Sequence, residues 1–218
     1  MSGRSPGIGS AALAAFVALA PLVAPIVTPP RAALAAAKSI DEIGALPHRD
    51  QKDALDAFLA ENPSSSEGLF RIGVWYYEEE RLADAVDAFK RALEFDPSNF
   101  KALANAALVL DKMKKGEEAL ALFESFMAKN PRDARAIAYY GEALWSNDRK
   151  SEGFDQYRKA LSIDPNCSEA HFNMGIAYAS MGIFREAIRE WNLVVSSGKP
   201  EELVSQAKGN ITRAQAKL

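Results

Sequence analysis

The chain has 218 residues, of which 48% are apolar and 25% are charged, and these proportions are normal for a folded globular protein. Its formal net charge of −3 offers no basic face for a phosphate backbone, so the composition argues against nucleic-acid binding. The single cysteine, Cys167, excludes a disulfide within the chain and gives little reason to expect redox chemistry.

The first 37 residues differ in kind from the rest of the chain. No charged residue lies between Arg4 and Arg31, and the span from Ala11 to Val27 is a dense apolar run that small residues at 35–37 follow. A cation, an apolar run and a small-residue site, in this order, are typical of an export signal peptide. Residues 1–37 are therefore predicted to be a cleaved signal peptide or an uncleaved membrane anchor. An organelle presequence or a disordered tail is also compatible with this pattern.

Two features bear on the choice between cleavage and anchoring. Pro21 and Pro25 each remove a helix hydrogen bond inside the apolar run, which argues against a permanent transmembrane helix. Arg31 lies unusually close to the expected cleavage site. We expect an exported protein (periplasmic, lumenal or secreted) or one that associates with a membrane through residues 8–28.

A helical pattern begins after this leader. Leu55 and Phe58 lie on one face of a predicted helix that ends before Pro63, and a shorter helix is expected around Ile40–Leu46, where Pro47 stops it. Residues 38–65 resemble half of the unit that repeats further along the chain.

Proline recurs at a fixed step from this point onward. Each of four prolines follows an asparagine or an aspartate, and the interval between successive pairs is the same each time. This constant interval is a period of about 34 residues, and a fixed period of roughly 20 to 50 residues is typical of stacked-repeat proteins. The pairs are Asn62-Pro63, Asp96-Pro97, Asn130-Pro131 and Asp164-Pro165.

Each period predicts two helices. Leu69, Ile72 and Tyr76 have the spacing of one helix face and indicate a first helix, and Ala85 and Phe89 indicate a second one. Glycines inside the first helices allow the two helices to approach closely. The predicted organisation is a half-repeat at 38–65, repeats at 66–99, 100–133, 134–167 and 168–200, and a C-terminal capping helix at 201–218.

The pattern resembles the tetratricopeptide repeat, whose hallmarks are Leu-Gly-x-x-Tyr, then Ala-x-x-x-Phe-x-x-Ala, then proline. Ile72-Gly73, Tyr76, Ala85, Phe89, Ala92 and Pro97 match it almost fully, and Met174-Gly175, Tyr178 and Ala187 match it again. The departures are Ala107 for the glycine, Gly153 for the first alanine and Phe126 for the second alanine. The resemblance implies an all-α fold, a right-handed superhelical solenoid of helix-turn-helix repeats.

No group of residues predicts catalysis, a cofactor or a metal. The two histidines, His48 and His171, are far apart and have no cysteine or carboxylate neighbours at metal-ligand spacing. Ser197-Gly198-Lys199 lacks the upstream glycine of a phosphate loop and is interpreted as a turn. We expect no enzyme activity and no small-molecule substrate.

The resemblance implies that a protein or peptide partner binds to the concave face, which the first helices line. The side chains there occupy positions between the framework residues, and we call them the inner positions; Glu142 and Glu169 are among them. The candidates for the peptide groove are Phe70, Val74, Tyr77, Lys101, Asn105, Leu108, Arg135, Tyr139, Trp145, Phe172, Asn173 and Ile176.

These side chains narrow the kind of ligand. Some members of the family hold a terminal carboxylate in a clamp of lysines, asparagines and an arginine, but here only Asn105 and Arg135 stand at matching positions. The groove is mostly apolar, which suits an extended or helical apolar peptide. The alternative is that several of these residues pack between neighbouring repeats.

The sequence therefore predicts an exported or membrane-associated adaptor for protein–protein interactions. One alternative is an assembly factor for a membrane protein complex of the envelope or thylakoid, since such factors often combine a membrane-directed N-terminus with these repeats. Another is a structural scaffold that associates with its own copies.

Overall fold

A computed structural model describes residues 39–218, which form helices joined by short turns and contain no strand. The predicted signal peptide or anchor at 1–37 lies outside these residues. From Ile40 onward, no helix has both the length and the apolar character needed to cross a bilayer. The helices are α1 (Ile40–Gly44), α2 (His48–Glu61), α3 (Ser66–Glu78), α4 (Leu82–Phe95), α5 (Phe100–Lys112), α6 (Gly116–Lys129), α7 (Ala134–Ser146), α8 (Lys150–Ile163), α9 (Ser168–Ser180), α10 (Phe184–Ser197) and α11 (Glu201–Gln215).

The described residues belong to two compact units, with the boundary between Lys115 and Gly116. In the first unit, α3 packs on α4, and α4 packs on α5. In the second unit, α7 packs on α8, α9 on α10, and α10 on α11. Each unit is therefore built from helix pairs joined by tight turns, and the predicted all-α helix-turn-helix fold class is confirmed.

The leading helices of the first unit are docked on α3. Ile43 of α1 and Leu55 of α2 are both 2% exposed and share an apolar cluster with Ile72 of α3. The Trp75 indole N–H donates to the His48 carbonyl at 3.2 Å, and the His48 ring stacks on the indole with centroids 5.6 Å apart. Apolar burial and a hydrogen bond thus join the half-repeat to the first repeat.

Glycine in a first helix makes room for an aromatic ring of the second helix. A Cβ atom at Gly73 would lie 2.6 Å from the Phe89 ring, and one at Gly175 would lie 2.7 Å from Cδ1 of the Trp191 indole and closer still to its Nε1. Real Cβ atoms do not approach other atoms so closely. The predicted reason for glycine inside these helices is confirmed, since a larger residue would push the pair apart.

The helix ends repeat with the same period as the prolines. The backbone N–H of Arg81 donates to the Tyr76 carbonyl at 2.8 Å, which is the long bond of a Schellman motif, and the same bond recurs at Lys115, Arg149 and Ile183. The residue before each of these takes the left-handed conformation that the motif needs. These residues are Glu80 (φ 57°), Lys114 (φ 62°), Asp148 (φ 63°) and Gly182 (φ 78°).

Gly182→Ala is expected to lower the free energy of unfolding by about 1 kcal/mol, because a Cβ disfavours the left-handed backbone. A Cβ there would meet nothing within 4 Å, so the backbone alone sets the loss. Gly209→Ala is the matched control: its Cβ would also be in open space, but inside α11, where alanine stabilises by about 1 kcal/mol. Urea denaturation followed by circular dichroism should show shifts of opposite sign, and shifts of equal sign would contradict the backbone explanation.

The helix α11 covers the last apolar face of the second unit. Its Leu203 and Ala207 are 7% and 0% exposed and share a cluster with Trp191 and Val194 of α10 and with Phe172 of α9. Glu201 and Glu202 in the first turn of α11 carry negative charge at the positive end of the helix dipole. This helix supplies apolar contacts on one side while its other side remains exposed to water.

Candidate functional site

All twelve predicted groove residues lie on the first helices α3, α5, α7 and α9. Six of them belong to the first unit and six to the second, so each unit presents its own set. Their exposure varies, and it decides which side chains a partner can touch.

The inner positions of the first unit are mostly half-exposed. Val74 and Leu108 are half-buried apolar side chains at equivalent places of two successive repeats, on the packed helices α3 and α5. Tyr77 is also half-buried, and the Lys112 ammonium lies 5.0 Å from its ring centroid. Phe70 packs its ring against the core residue Phe89, with centroids 5.7 Å apart.

The two polar groove candidates of the first unit, Lys101 and Asn105, differ in their exposure to solvent. Lys101 is exposed, whereas Asn105 is 9% exposed and donates from Nδ2 to the Lys101 carbonyl at 2.8 Å. That bond turns one end of the Asn105 amide toward its own helix. A ligand can therefore meet the Lys101 ammonium more easily than the Asn105 side chain.

In the second unit, the assignment of Phe172 to a groove is wrong. Its side chain is 2% exposed and lies in the cluster that α10 and α11 close. The capping helix covers this face, so Phe172 is a core residue. By contrast, Arg135 is exposed, and Trp145 and Ile176 are half-buried.

Three inner positions of the second unit carry buried polar side chains. Tyr139 and Glu142 on α7 are 7% and 8% exposed, and Asn173 on α9 is 4% exposed. Burial, followed by the carboxylates of Glu142 and Glu169, raises the pKa of the Tyr139 phenol far above its usual range. The phenol therefore stays neutral and donates or accepts hydrogen bonds as an O–H group.

His171, which also lies on α9, is held by two acceptors. Its Nδ1 is 2.7 Å from Glu190 Oε2, and its Nε2 is 2.9 Å from the Pro165 carbonyl oxygen. Burial opposes the charged imidazolium, but the Glu190 carboxylate and the Pro165 carbonyl outweigh it, so the His171 pKa is raised. Only the doubly protonated ring can donate to both acceptors, which agrees with this direction.

This raised pKa predicts a pH-dependent stability. The stabilisation is complete below the ordinary histidine pKa of about 6.5 and is lost as the pH rises through the higher folded-state value. The urea midpoints of the wild type and of His171→Gln are to be compared at each pH. The amount by which the wild-type midpoint exceeds that of the variant should therefore fall as the pH is raised from about 6 to 8. His48 is present in both proteins and cancels. A difference that grows over the same range would contradict the two-acceptor arrangement.

Cys167 occupies a helix-capping position without capping through its side chain. Ser65, Asn99 and Asp133, at the equivalent position of the three preceding repeats, accept the backbone N–H three residues on, but Cys167 makes no such side-chain bond. Burial, with Glu169 and Asp164 nearby, raises the pKa of its thiol to about 12. The thiol is therefore protonated at neutral pH and is a weak nucleophile. Among residues 39–218, no three potential metal ligands of the His, Cys, Asp and Glu types cluster together.

Comparison with known proteins identifies the repeat. The sequence model of the family described as tetratricopeptide repeat matches residues 76–138. Among solved structures, MamA from Desulfovibrio magneticus RS-1 has a TM-score of 0.53 and 23% identity over 68% of this chain and 84% of its own. A tetratricopeptide repeat protein from Parabacteroides merdae has a TM-score of 0.56 and 19% identity over 78% of this chain and 70% of its own. These structures share the fold.

Curated relatives match between half and two thirds of the chain. The chain is 27% identical to a probable N-acetylglucosaminyltransferase, SPINDLY, of Hordeum vulgare over 62% of this chain and 16% of the relative. It is 25% identical to two proteins of Pseudomonas aeruginosa: the cytochrome c-type biogenesis protein CycH (57% of this chain, 32% of the relative) and the type IV pilus assembly protein PilF (53% and 46%). The chain spans less than half the length of each of these relatives.

Proposed function

Because the chain is a tetratricopeptide-repeat protein, we propose that it is an adaptor that binds a peptide or a helix of a partner protein at its inner positions. Repeats of this fold generally serve as scaffolds for protein or peptide binding, without catalysis of their own. The observation that carries the proposal is the pair Val74 and Leu108, two apolar side chains that stay half-exposed on packed neighbouring helices. Helices that are already in place reduce the ordering cost of binding. No cofactor and no small-molecule substrate enter this function.

Charged variants at these two positions test the proposal. Val74→Asp and Leu108→Asp, made separately, are expected to reduce co-purification of the partner at least ten-fold, because each places a carboxylate where apolar ligand surface would lie. Ala83→Asp is the matched control, since it adds the same charge at an exposed position of α4. Phe70 and Trp145 are less suitable, because Phe70 packs on Phe89 and Trp145 packs against the Tyr157 cluster.

The measurement compares the partners retained by each tagged full-length variant, with circular dichroism to show that the helices persist. Undiminished capture by both variants would overturn the assignment of the inner positions. The alternative function, a structural scaffold that associates with its own copies, is tested by light scattering of the purified protein. An increase of the particle mass with protein concentration would identify such a scaffold.

The more specific proposal is that the adaptor helps to assemble a membrane protein complex. Its support is the match to CycH and PilF, whose names denote cytochrome c-type biogenesis and pilus assembly. Co-purification from the native membrane fraction should then recover subunits of one complex. Recovery of only soluble proteins would contradict this role.

We also propose that the protein is exported or anchored in a membrane. The apolar stretch within residues 8–28 and the small residues at 35–37 support export or membrane anchoring. N-terminal sequencing of the mature protein tests it: a start near Lys38 is expected for a cleaved signal. An intact N-terminus in a protein that washes off the membrane with salt would contradict both export and anchoring.

A further inference from the structure

The turn between α9 and α10 lacks the charges that the three corresponding turns carry. Its residues are Met181, Gly182 and Ile183, which we call the apolar turn. The side chain of Met181 is 51% exposed and that of Ile183 is 39% exposed, so the turn presents two large apolar groups to its surroundings. In the other three turns the left-handed residue and its successor are both charged, and these pairs are Glu80-Arg81, Lys114-Lys115 and Asp148-Arg149.

The backbone N–H groups of the apolar turn are all used within the protein. Those of Met181 and Ile183 donate to the Tyr178 carbonyl at 3.1 and 2.9 Å, and that of Gly182 donates to the Ala179 carbonyl at 3.0 Å. An unpaired backbone N–H is costly in hydrocarbon. The apolar turn can therefore leave water without stripping these donors of their partners.

Two exposed arginines follow the apolar turn on α10. Arg185 and Arg189 are four residues apart, so they share one face of the helix, and Arg189 lies about 6 Å further along it. Neither guanidinium has an ion-pair partner within residues 39–218. An exposed carboxylate, Glu186, is rotated from Arg185 by about 100° around the helix. The three side chains together carry one positive charge, and the face with the two arginines is the positive one.

The size and the charges of this surface favour a membrane over a protein as its partner. A stable protein interface buries about 800 Å² on each side, which a turn of three residues does not supply. Shallow insertion into a bilayer requires only a few apolar side chains, assisted by attraction between basic residues and anionic lipids. Guanidinium groups that lie up to about 6 Å behind the inserted turn are at the depth of the lipid headgroups, which their flexible stems help them to reach.

We infer that the apolar turn inserts into the surface of a bilayer that contains anionic lipids, and that Arg185 and Arg189 pair with the lipid headgroups. The turn enters the interface without crossing the bilayer. One shallow insertion binds weakly and reversibly, whereas two attachments hold a protein stably at a membrane. The contact is separate from the apolar leader at 8–28, and it does not use the inner positions.

A fluorescent label on the turn tests the insertion. Met181→Cys in the full-length chain is labelled with the environment-sensitive dye NBD and mixed with vesicles of phosphatidylcholine and phosphatidylglycerol. The NBD emission is expected to rise at least two-fold, because the dye moves from water into the apolar interface. Cys167 takes up little label because it is 4% exposed and its thiol is protonated.

Leu193→Cys with the same label is the matched control. Leu193 is also an exposed apolar residue of α10, at 46%, but it lies ten residues after Ile183, about 15 Å further along the helix. Its NBD emission should stay unchanged on the same vesicles. A protein that reaches the vesicles through its leader alone would leave both labels in water.

Charge variants test the role of the arginines. Arg185→Gln together with Arg189→Gln, in the labelled Met181→Cys chain, should raise the lipid concentration at half-maximal emission at least five-fold, since one arginine near an anionic surface changes binding by about that factor. Arg158→Gln together with Lys159→Gln is the control, because it removes two exposed cations from α8 of the same unit and should leave that concentration unchanged.

The possible results separate a membrane from other occupants of the turn. Unchanged emission from the label at 181, or an equal rise at 181 and 193, would overturn the insertion. An equal response to vesicles of phosphatidylcholine alone, or no effect of the arginine variants, would overturn the assignment to anionic lipids. Benzoylphenylalanine at Ile183, irradiated in the native membrane fraction, should form no protein adduct, and an adduct of defined mass would show that a protein binds the turn instead. The variants at Val74 and Leu108 test the adaptor role independently of all these results.

Discussion

Replacing Trp191 with alanine is expected to lower the free energy of unfolding by about 3–5 kcal/mol, the range for deleting a large buried aromatic side chain. Trp191 is 2% exposed and lies in the cluster that joins α9, α10 and α11. Its indole N–H also donates to the Phe172 carbonyl at 3.1 Å inside that cluster. The variant therefore loses apolar burial, leaves a cavity and removes one buried hydrogen bond.

A second substitution separates these contributions. Trp191→Phe keeps an aromatic ring, as Phe89 and Phe123 do at the equivalent positions of the first two repeats, and should cost less than half as much as Trp191→Ala. Urea denaturation followed by circular dichroism measures both. Losses of equal size would show that the ring contributes little and would contradict the packing described for the last helix pair.

Gly153→Ala is the second large effect, although alanine is the residue that the repeat pattern favours there. A Cβ atom at Gly153 would lie 2.6 Å from the Gly141 carbonyl oxygen and 3.2 Å from the Trp145 backbone nitrogen. Both atoms belong to backbone, which cannot rotate away as a side chain can. We expect a loss of about 1–3 kcal/mol, the typical cost of overpacking.

The sign of this effect distinguishes crowding from helix propensity. Alanine favours a helix over glycine by about 1 kcal/mol, so a Gly153 in open space would become more stable on substitution, as Gly209 is expected to. The urea midpoint of Gly153→Ala, compared with that of Gly209→Ala, decides between the two. A gain in stability at both positions would mean that α7 and α8 do not approach as closely as described.

The positions of the helix pairs could be predicted from the sequence because short-range chemistry sets them. Asn-Pro and Asp-Pro end the second helices α2, α4, α6 and α8, and after the first three of these prolines a polar residue two positions on begins the next first helix. Ser65, Asn99 and Asp133 supply the side-chain caps at that place. These features depend on neighbours within a few residues, so they are visible without a structure.

The surface could be predicted less well, because exposure depends on contacts between distant residues. Phe172 has the spacing of an inner position, but α11 packs over it and makes it part of the core. Gly153 looked like a local departure from the repeat pattern, whereas it is matched to Gly141 across the helix pair. Glu142 could be placed on the inner face by its spacing, but its burial beside Tyr139 could not be derived from periodicity.

Photo-crosslinking from single positions is the most direct test of partner binding by the first helices. Benzoylphenylalanine at Tyr77 of α3 and at Ile176 of α9 should capture a partner in the native membrane fraction. The same group at Arg91 of α4 and at Lys159 of α8, both exposed on second helices, should capture little. Crosslinks that form from Arg91 and Lys159 but not from Tyr77 and Ile176 would show that the partner binds the second helices instead, and would contradict the function proposed for this chain.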